Sequence, residues 1–364
     1  MGFTCGILGL PNVGKSTLFN ALTHAHAAVA PYPFTTIEPN VGTALVPDAR
    51  LEAIARLVPH EKILPTHLEF VDIAGLVAGA STGAGLGNQF LSHVFAVDCL
   101  AHVVRLFGGE HVAHVSGSLD PLRDAGIVTT ELLLKDLELL ERWLLGQQKA
   151  ARGGDKTAVA AVDAAARWKE ALNQGRTIRQ LKLPAERHPG AFGLTLLTAK
   201  PLFYVVNLDE RQTEQAPPSL DALRAHAAQE GSTVVTAAIQ LEAELVELEP
   251  AEQATMRQEL GVHEPALGRI VQAGYQTLGL LSFFTTESRM VQAWTVRSGS
   301  TAPQAAGRIH TDFERGFIRA EVIHYDDFIA CGGDAHARAK GVLHVEGKEY
   351  VVQDGDVVRF RVGT

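Results

Sequence analysis

Apolar residues cluster in five short runs, Cys5–Leu8, Leu68–Asp72, Leu100–Arg105, Leu202–Asn207 and Thr233–Thr236, separated by helical or loop segments. Short apolar strands alternating with helices predict a mostly parallel α/β sheet with helices on both faces, whose ligand loops lie at the carboxyl ends of the strands. The alternation breaks after about Gly126. Leu132, Leu133, Leu137, Leu140 and Leu144 recur at helical spacing, Gly153-Gly154-Asp155 marks a reversal, and helical spacing resumes from Thr157 to Leu172. This predicts an inserted antiparallel helical coiled coil. Beyond Gly279 the texture becomes β-branched and aromatic, predicting a small α+β domain. Glu349–Val352 and Val357–Phe360 flank Asp354-Gly355 and predict a β-hairpin. The expected division is 1–132 and 201–280 for the two parts of a nucleotide domain, 133–200 for the helical insertion and 281–364 for the C-terminal domain.

At 364 residues the chain is long enough for two or three domains. Its apolar stretches are too interrupted to span a membrane, and it enters a core strand without a leader, so a soluble cytoplasmic protein is expected, most simply a monomer. Cys5, Cys99 and Cys331 lack metal-site spacing and read as buried or incidental thiols. A formal charge of −9 argues against wholesale coating of nucleic acid. The average hides an asymmetry: Leu133–Lys200 holds 12 basic against 7 acidic residues, whereas Pro201–Leu280 holds 4 against 12. A basic arm on an acidic body is an electrostatic handle for RNA or a ribosomal surface.

Gly9-Leu10-Pro11-Asn12-Val13-Gly14-Lys15-Ser16-Thr17 joins the first strand to a helix with the spacing GxxxxGKS. That is a phosphate-binding loop. Main-chain N–H groups from Asn12 through Thr17 can surround the phosphates, Lys15 can reach the β- and γ-phosphates, and the Ser16 hydroxyl can hold Mg²⁺. Asp72-Ile73-Ala74-Gly75 ends a second strand, offering Asp72 to the metal through water and the Gly75 amide to the γ-phosphate. Thr36, within Pro33-Phe34-Thr35-Thr36, offers another hydroxyl to the metal. Asn12 can help hold a K⁺ beside the phosphates or brace the loop.

Base recognition is expected from Asn207-Leu208-Asp209-Glu210, with Thr236-Ala237-Ala238 closing on the base. Guanine-specific sites of this architecture carry NKxD, whose last carboxylate takes two hydrogen bonds from guanine. Glu210 moves that carboxylate out of register, and Leu208 replaces the lysine whose stem would cover the base. Lost pairing removes most of the preference for GTP, so ATP is expected to bind at least as well, the alternative being a one-residue shift of the loop that restores a guanine contact through Asp209. Leu76 stands where many GTPases keep a water-orienting glutamine, so hydrolysis is expected to be slow or to use another group, with His114 as the candidate.

These residues resemble the YchF / Obg-like ATPase family of translation-factor-type P-loop proteins. The likeness is carried by Gly9–Thr23, Pro31–Gly42, Phe70–Ser81, Gly85–Val94, Asn207–Glu210 and Thr301–Ile323, and it covers nearly the whole chain. It implies a G domain, a coiled-coil insertion and a C-terminal TGS domain of β-grasp type. It further implies ATPase and GTPase activity, association with the ribosome or ribosomal RNA, and a role in translation or stress regulation. The family's catalytic histidine segment, HVxGxxDP, is matched by His114, Val115, Gly117, Asp120 and Pro121, which makes His114 the expected catalytic residue. Ala78 departs from the family, which usually has lysine there. Two other readings stand beside the ATPase switch. One is a guanine-specific GTPase of ribosome assembly. The other is an RNA-binding adaptor whose nucleotide only stabilises the fold.

Overall fold

Each of the five apolar runs forms a strand. The computed structural model describes residues 2–27, 40–73, 86–108, 119–212, 217–262, 264–287 and 289–363. They fall into two units, Met1–Ala44 with Glu69–Thr277, and Leu45–Leu68 with Leu278–Thr364. The chain opens with β1 (Thr4–Leu8), α1 (Lys15–Ala27), β2 (Val41–Leu45), α2 (Ala49–Ala55), β3 (Lys62–Leu64), β4 (His67–Asp72), α3 (Leu86–Ala96) and β5 (Cys99–Arg105). After these come α4 (Pro121–Arg152), α5 (Lys156–Asn173), β6 (Leu202–Asn207), α6 (Ser219–Glu230), β7 (Val234–Ala237), α7 (Ile239–Val246), α8 (Pro250–Glu259) and α9 (Ala266–Thr277).

The first unit is built on a sheet of order β2-β4-β1-β5-β6-β7. β1 runs parallel to β4 and β5, β5 to β6, and β6 to β7. Every residue of the central strands β5 and β6 is buried, as expected where helices cover both faces. Cys5 and Cys99 lie opposite each other in the β1–β5 register, both fully buried. Burial, and then the neighbouring Cys99, pushes the Cys5 thiol up.

The helical arm begins earlier than its leucine repeat indicates. Asp120 caps α4 by accepting from the Arg123 N–H, with Pro121 in the first turn. Gly154, at φ 85°, makes the reversal, and Asp155 caps α5 by accepting from the N–H groups of Thr157 and Ala158. Leu133, Leu140, Trp168 and Leu172 form the arm's core, joined by Ile178, Leu194 and Leu196 from the returning segment. The arm is therefore more than a bare pair of helices. Asp136 on α4 anchors the return, accepting from the N–H groups of Leu197 (2.6 Å) and Thr198 (2.8 Å) and from the Thr198 hydroxyl (2.6 Å).

The second unit adds β8 (Leu280–Thr285), β9 (Met290–Arg297), α10 (Ala302–Ile309), α11 (Thr311–Arg315), β10 (Phe317–Ile323), α12 (Tyr325–Cys331), α13 (Asp334–Ala339), β11 (His344–Glu346) and β12 (Val357–Val362). Its sheet order is β11-β10-β12-β8-β9-β3. The sheet is mixed: β12 runs parallel to β8 and β3 to β9, whereas β8–β9, β10–β12 and β10–β11 are antiparallel. Phe283, Phe317 and Phe360 pack with Ala302, Ala305 and Ala306 of α10. The neighbouring Phe284, on the opposite face, packs with Leu51 and Ile54 of α2 and Phe328 of α12.

Two expectations change here. Leu45–Leu68, read as part of the first domain, groups with the second unit and supplies its edge strand β3. The hairpin around Asp354-Gly355 does not form, although Gly355, at φ 93°, does turn the chain. β12 has β10 on one side and β8 on the other, so both its edges are taken. Val351 instead makes an isolated bridge to Thr301.

Candidate nucleotide-binding site

The loop from β1 to α1 is shaped by contacts that only glycine permits. A Cβ on Gly9 (φ 154°) would lie 2.4 Å from the Val103 carbonyl oxygen, and one on Gly14 (φ 98°) would lie 2.5 Å from Nδ2 of Asn207. Asn12 occupies the left-handed region at φ 61°, which asparagine tolerates better than most residues. The Leu18 N–H donates to the Gly14 carbonyl at 2.9 Å. The N–H groups ahead of it have no partner within the helix and are the donors an anion would meet.

Lys15 is 8% exposed, and its ammonium donates to the Leu10 carbonyl at 2.8 Å. Burial lowers its pKa, and the Asp72 charge works in the opposite direction. The Lys15 cation is thus parked on the loop's own backbone, close to where phosphate charge would replace that carbonyl. Ser16 Oγ donates to Asp72 Oδ2 at 2.8 Å, bringing together two groups 56 positions apart. Asp72 Oδ1 is buried with no hydrogen-bond partner among the described residues. Hydroxyl and carboxylate oxygens on one spot, one of them lacking a donor, fit a hard cation such as Mg²⁺. Thr36, Gly75 and His114, together with Thr35, Leu76 and Ala78, lie outside the described residues.

On the base side, Asn207 is 5% exposed and ties two loops together. Its Nδ2 donates to the Val13 carbonyl at 3.0 Å, and its Oδ1 accepts from the Ile239 N–H at 3.2 Å. One side chain therefore fixes the phosphate loop to the segment after β7. Leu208 is 4% exposed, so its side chain belongs to the interior and does not cover a base from outside. Asp209 accepts from the Gly108 N–H at 3.0 Å through Oδ2, which commits it to the loop after β5. Glu210 is exposed at the start of a short 3-10 turn, Glu210–Gln212. Ala237 and Ala238 are buried, and the Thr236 carbonyl accepts from Arg269 of α9 at 3.1 Å.

Three partners of the site were not foreseen from the sequence: the double tether through Asn207, the Asp209–Gly108 bond and the Arg269 brace. The sequence points to Asn207, but only for the base. The other two bonds join residues 101 and 33 positions apart and carry no local pattern.

The chain is similar to known proteins along nearly its whole length. A family model described as 50S ribosome-binding GTPase matches residues 4–133, and one for the YchF GTPase C-terminal region, described as a protein of unknown function, matches residues 280–363. The chain is 50% identical over 361 residues to the Ribosome-binding ATPase YchF of Haemophilus influenzae, covering 99% of each. It is 47% identical over 365 residues to the protein of the same name from Bacillus subtilis, again covering 99% of each. The solved structure of the Schizosaccharomyces pombe YchF GTPase superposes with a TM-score of 0.89 at 36% identity, covering 99% of this chain and 98% of that one. With a phosphate loop, a C-terminal domain and full-length relatives all in agreement, the chain belongs to the YchF family.

Proposed function

We propose that this protein is a ribosome-associated nucleotide hydrolase that converts ATP, and GTP as well, to the diphosphate and phosphate as a slow switch in translation or stress regulation. The observation that carries the reading is the Ser16–Asp72 contact beside Lys15, with one buried Asp72 oxygen left without a donor. Ribosome binding rests on the names of the relatives and on the basic balance of the arm.

In this reading the loop amides from Asn12 to Thr17 hold the phosphates, and Lys15 exchanges the Leu10 carbonyl for the β- and γ-phosphate oxygens. Ser16 and Thr36 would hold Mg²⁺ through their hydroxyl oxygens and Asp72 through water, and Asn12 would be the position for K⁺. Bound Mg²⁺ offsets the charge of the phosphate oxygens. The Gly75 amide reads the γ-phosphate. His114, matched to the family's histidine segment, orients the attacking water in place of the glutamine that Leu76 cannot mimic. Asn207 holds the pocket's walls, while Glu210, too long for the guanine register, leaves base selectivity low. The C-terminal unit corresponds to the TGS domain, and the protein works as a cytoplasmic monomer.

Titration of ATP and GTP, with phosphate release measured in the presence of ribosomes and K⁺, tests the reading. ATP binding at least equal to GTP is expected, with His114→Ala retaining binding and losing turnover. A clear preference for GTP removes the adenine argument, and no turnover with ribosomes present favours the adaptor reading. Glu210→Asp is expected to shift preference toward GTP.

A further inference from the structure

The second unit carries a polar cluster that the nucleotide chemistry does not use. Asp356, with a 1% exposed side chain, sits at its centre. Its Oδ2 accepts from the Tyr350 hydroxyl at 2.7 Å and from the Gln353 N–H at 2.9 Å. Its Oδ1 lies 2.8 Å from Nδ1 of His324. An ionised carboxylate only accepts, so Nδ1 of His324 is the donor in this bond, and the tautomer with its proton on Nδ1 leaves the Nε2 lone pair for a metal ion. A buried carboxylate that orients a histidine in this way is the usual second partner of a metal-binding imidazole.

A second imidazole lies beside it. His344 on β11 is paired with Val322 on β10, so the two share one face of the sheet, and His324 lies two residues further along the same extended backbone. The His324 and His344 ring centroids are 5.8 Å apart with the rings tilted by 41°. Two imidazoles on one zinc ion at tetrahedral angles, with Zn–N near 2.0–2.1 Å, place their centroids about 5.2 Å apart. The observed spacing differs from this by an amount that small side-chain rotations absorb. Glu346 is paired with Ala320 and thus lies on the same face, two residues from His344. The Tyr350 phenol is pushed up by burial first, then by Asp356, and also by the Glu346 charge, which places Glu346 in this electrostatic neighbourhood. Two carboxylates around two imidazoles favour a cation over an anion.

We propose that His324 and His344 form a binding site for a borderline divalent metal ion of the Zn²⁺ class, with Asp356 orienting His324 and Glu346 adding negative charge. No cluster of three or more metal-binding side chains stands assembled among the described residues, so water completes the shell. Such an ion ties the three-residue edge strand β11 to the end of β10 and stiffens that corner of the unit. This reading is independent of the nucleotide chemistry.

The test uses the full-length protein with Mg²⁺ in excess, so that the nucleotide site is occupied by a hard cation. Zn²⁺ binding is followed by calorimetry and Co²⁺ binding by visible absorption. One equivalent of Zn²⁺ is expected in the wild type, with a Co²⁺ spectrum typical of nitrogen ligation and a rise in Tm. His344→Gln, at an exposed position, is expected to lose that equivalent while retaining the fold, and His324→Gln to do the same. Asp356→Asn is expected to weaken it by about ten- to a hundredfold. Equal Zn²⁺ stoichiometry and affinity in the wild type and His344→Gln would overturn the proposal, as would a wild type without a bound equivalent.

Discussion

Replacing Asn207 by alanine isolates the link between the phosphate loop and the base-side loop. The change removes a donor to the Val13 carbonyl at 3.0 Å and an acceptor for the Ile239 N–H at 3.2 Å. Val13 and Ile239 are 2% and 0% exposed, so water does not readily replace either partner. A buried polar group left without its partner costs about 1–3 kcal/mol. Two such groups, with some relaxation of the loops, give a destabilisation of about 2–4 kcal/mol. The loop would then have to be ordered by the ligand. If that transfers about 1.4–2.8 kcal/mol from binding, nucleotide affinity falls by about ten- to a hundredfold. Equilibrium urea unfolding reads the first quantity, and titration with a fluorescent ATP analogue reads the second. Asn207→Asp serves as a control, because it keeps the acceptor for Ile239 but sets an oxygen against the Val13 carbonyl, and so should bind nucleotide no better than the alanine variant. An unfolding midpoint and an affinity that both stay within error of the wild type in Asn207→Ala would refute the tether.

Three further outcomes are expected. Ser16→Ala removes the hydroxyl 2.8 Å from Asp72, and nucleotide affinity should become nearly independent of Mg²⁺; a titration with and without chelator that keeps the wild-type difference speaks against the metal assignment. His102 is held neutral by burial first and then by the charges of Arg179, Lys15 and His226, which lower its pKa to about 3. The unfolded chain takes up this proton near pH 6.5, so stability is lost as pH falls from 6.5 toward 3, by about 1.4 kcal/mol at pH 5.5. His102→Leu should flatten the acid limb of the urea stability profile by that amount, and an unchanged profile contradicts the burial argument. Asp136 has the opposite sign: burial, working against its hydrogen bonds, raises its pKa to about 6, so its own contribution favours folding as pH falls through 6 toward 3.8. Asp136→Ala leaves three donors at the arm's return unsatisfied and should destabilise by about 3 kcal/mol in urea melts at pH 7; a loss under 1 kcal/mol would show that the anchor is dispensable.

The sequence makes legible whatever is contiguous. The phosphate loop lies within nine consecutive residues, Gly9–Thr17, because glycine torsions and a helix start are properties of neighbouring positions. The strands β1, β4, β5, β6 and β7 follow from apolar runs for the same reason, and the arm's reversal follows from Gly153-Gly154 with a capping Asp155. Tertiary structure decided everything that joins distant segments. Asn207 meets Val13 across 194 positions, and Asp356 meets His324 across 32. Asp354-Gly355 is a sound turn signal, yet the flanking segment lost β12 to β10 and β8, whose hydrogen bonds occupy both edges. Leu45–Leu68 likewise joins the second unit through pairing of β3 with β9. Local preference sets which conformation a short segment can hold. Which partner its backbone edges and polar side chains find depends on competition among segments far apart in the chain, and only the folded packing resolves that competition.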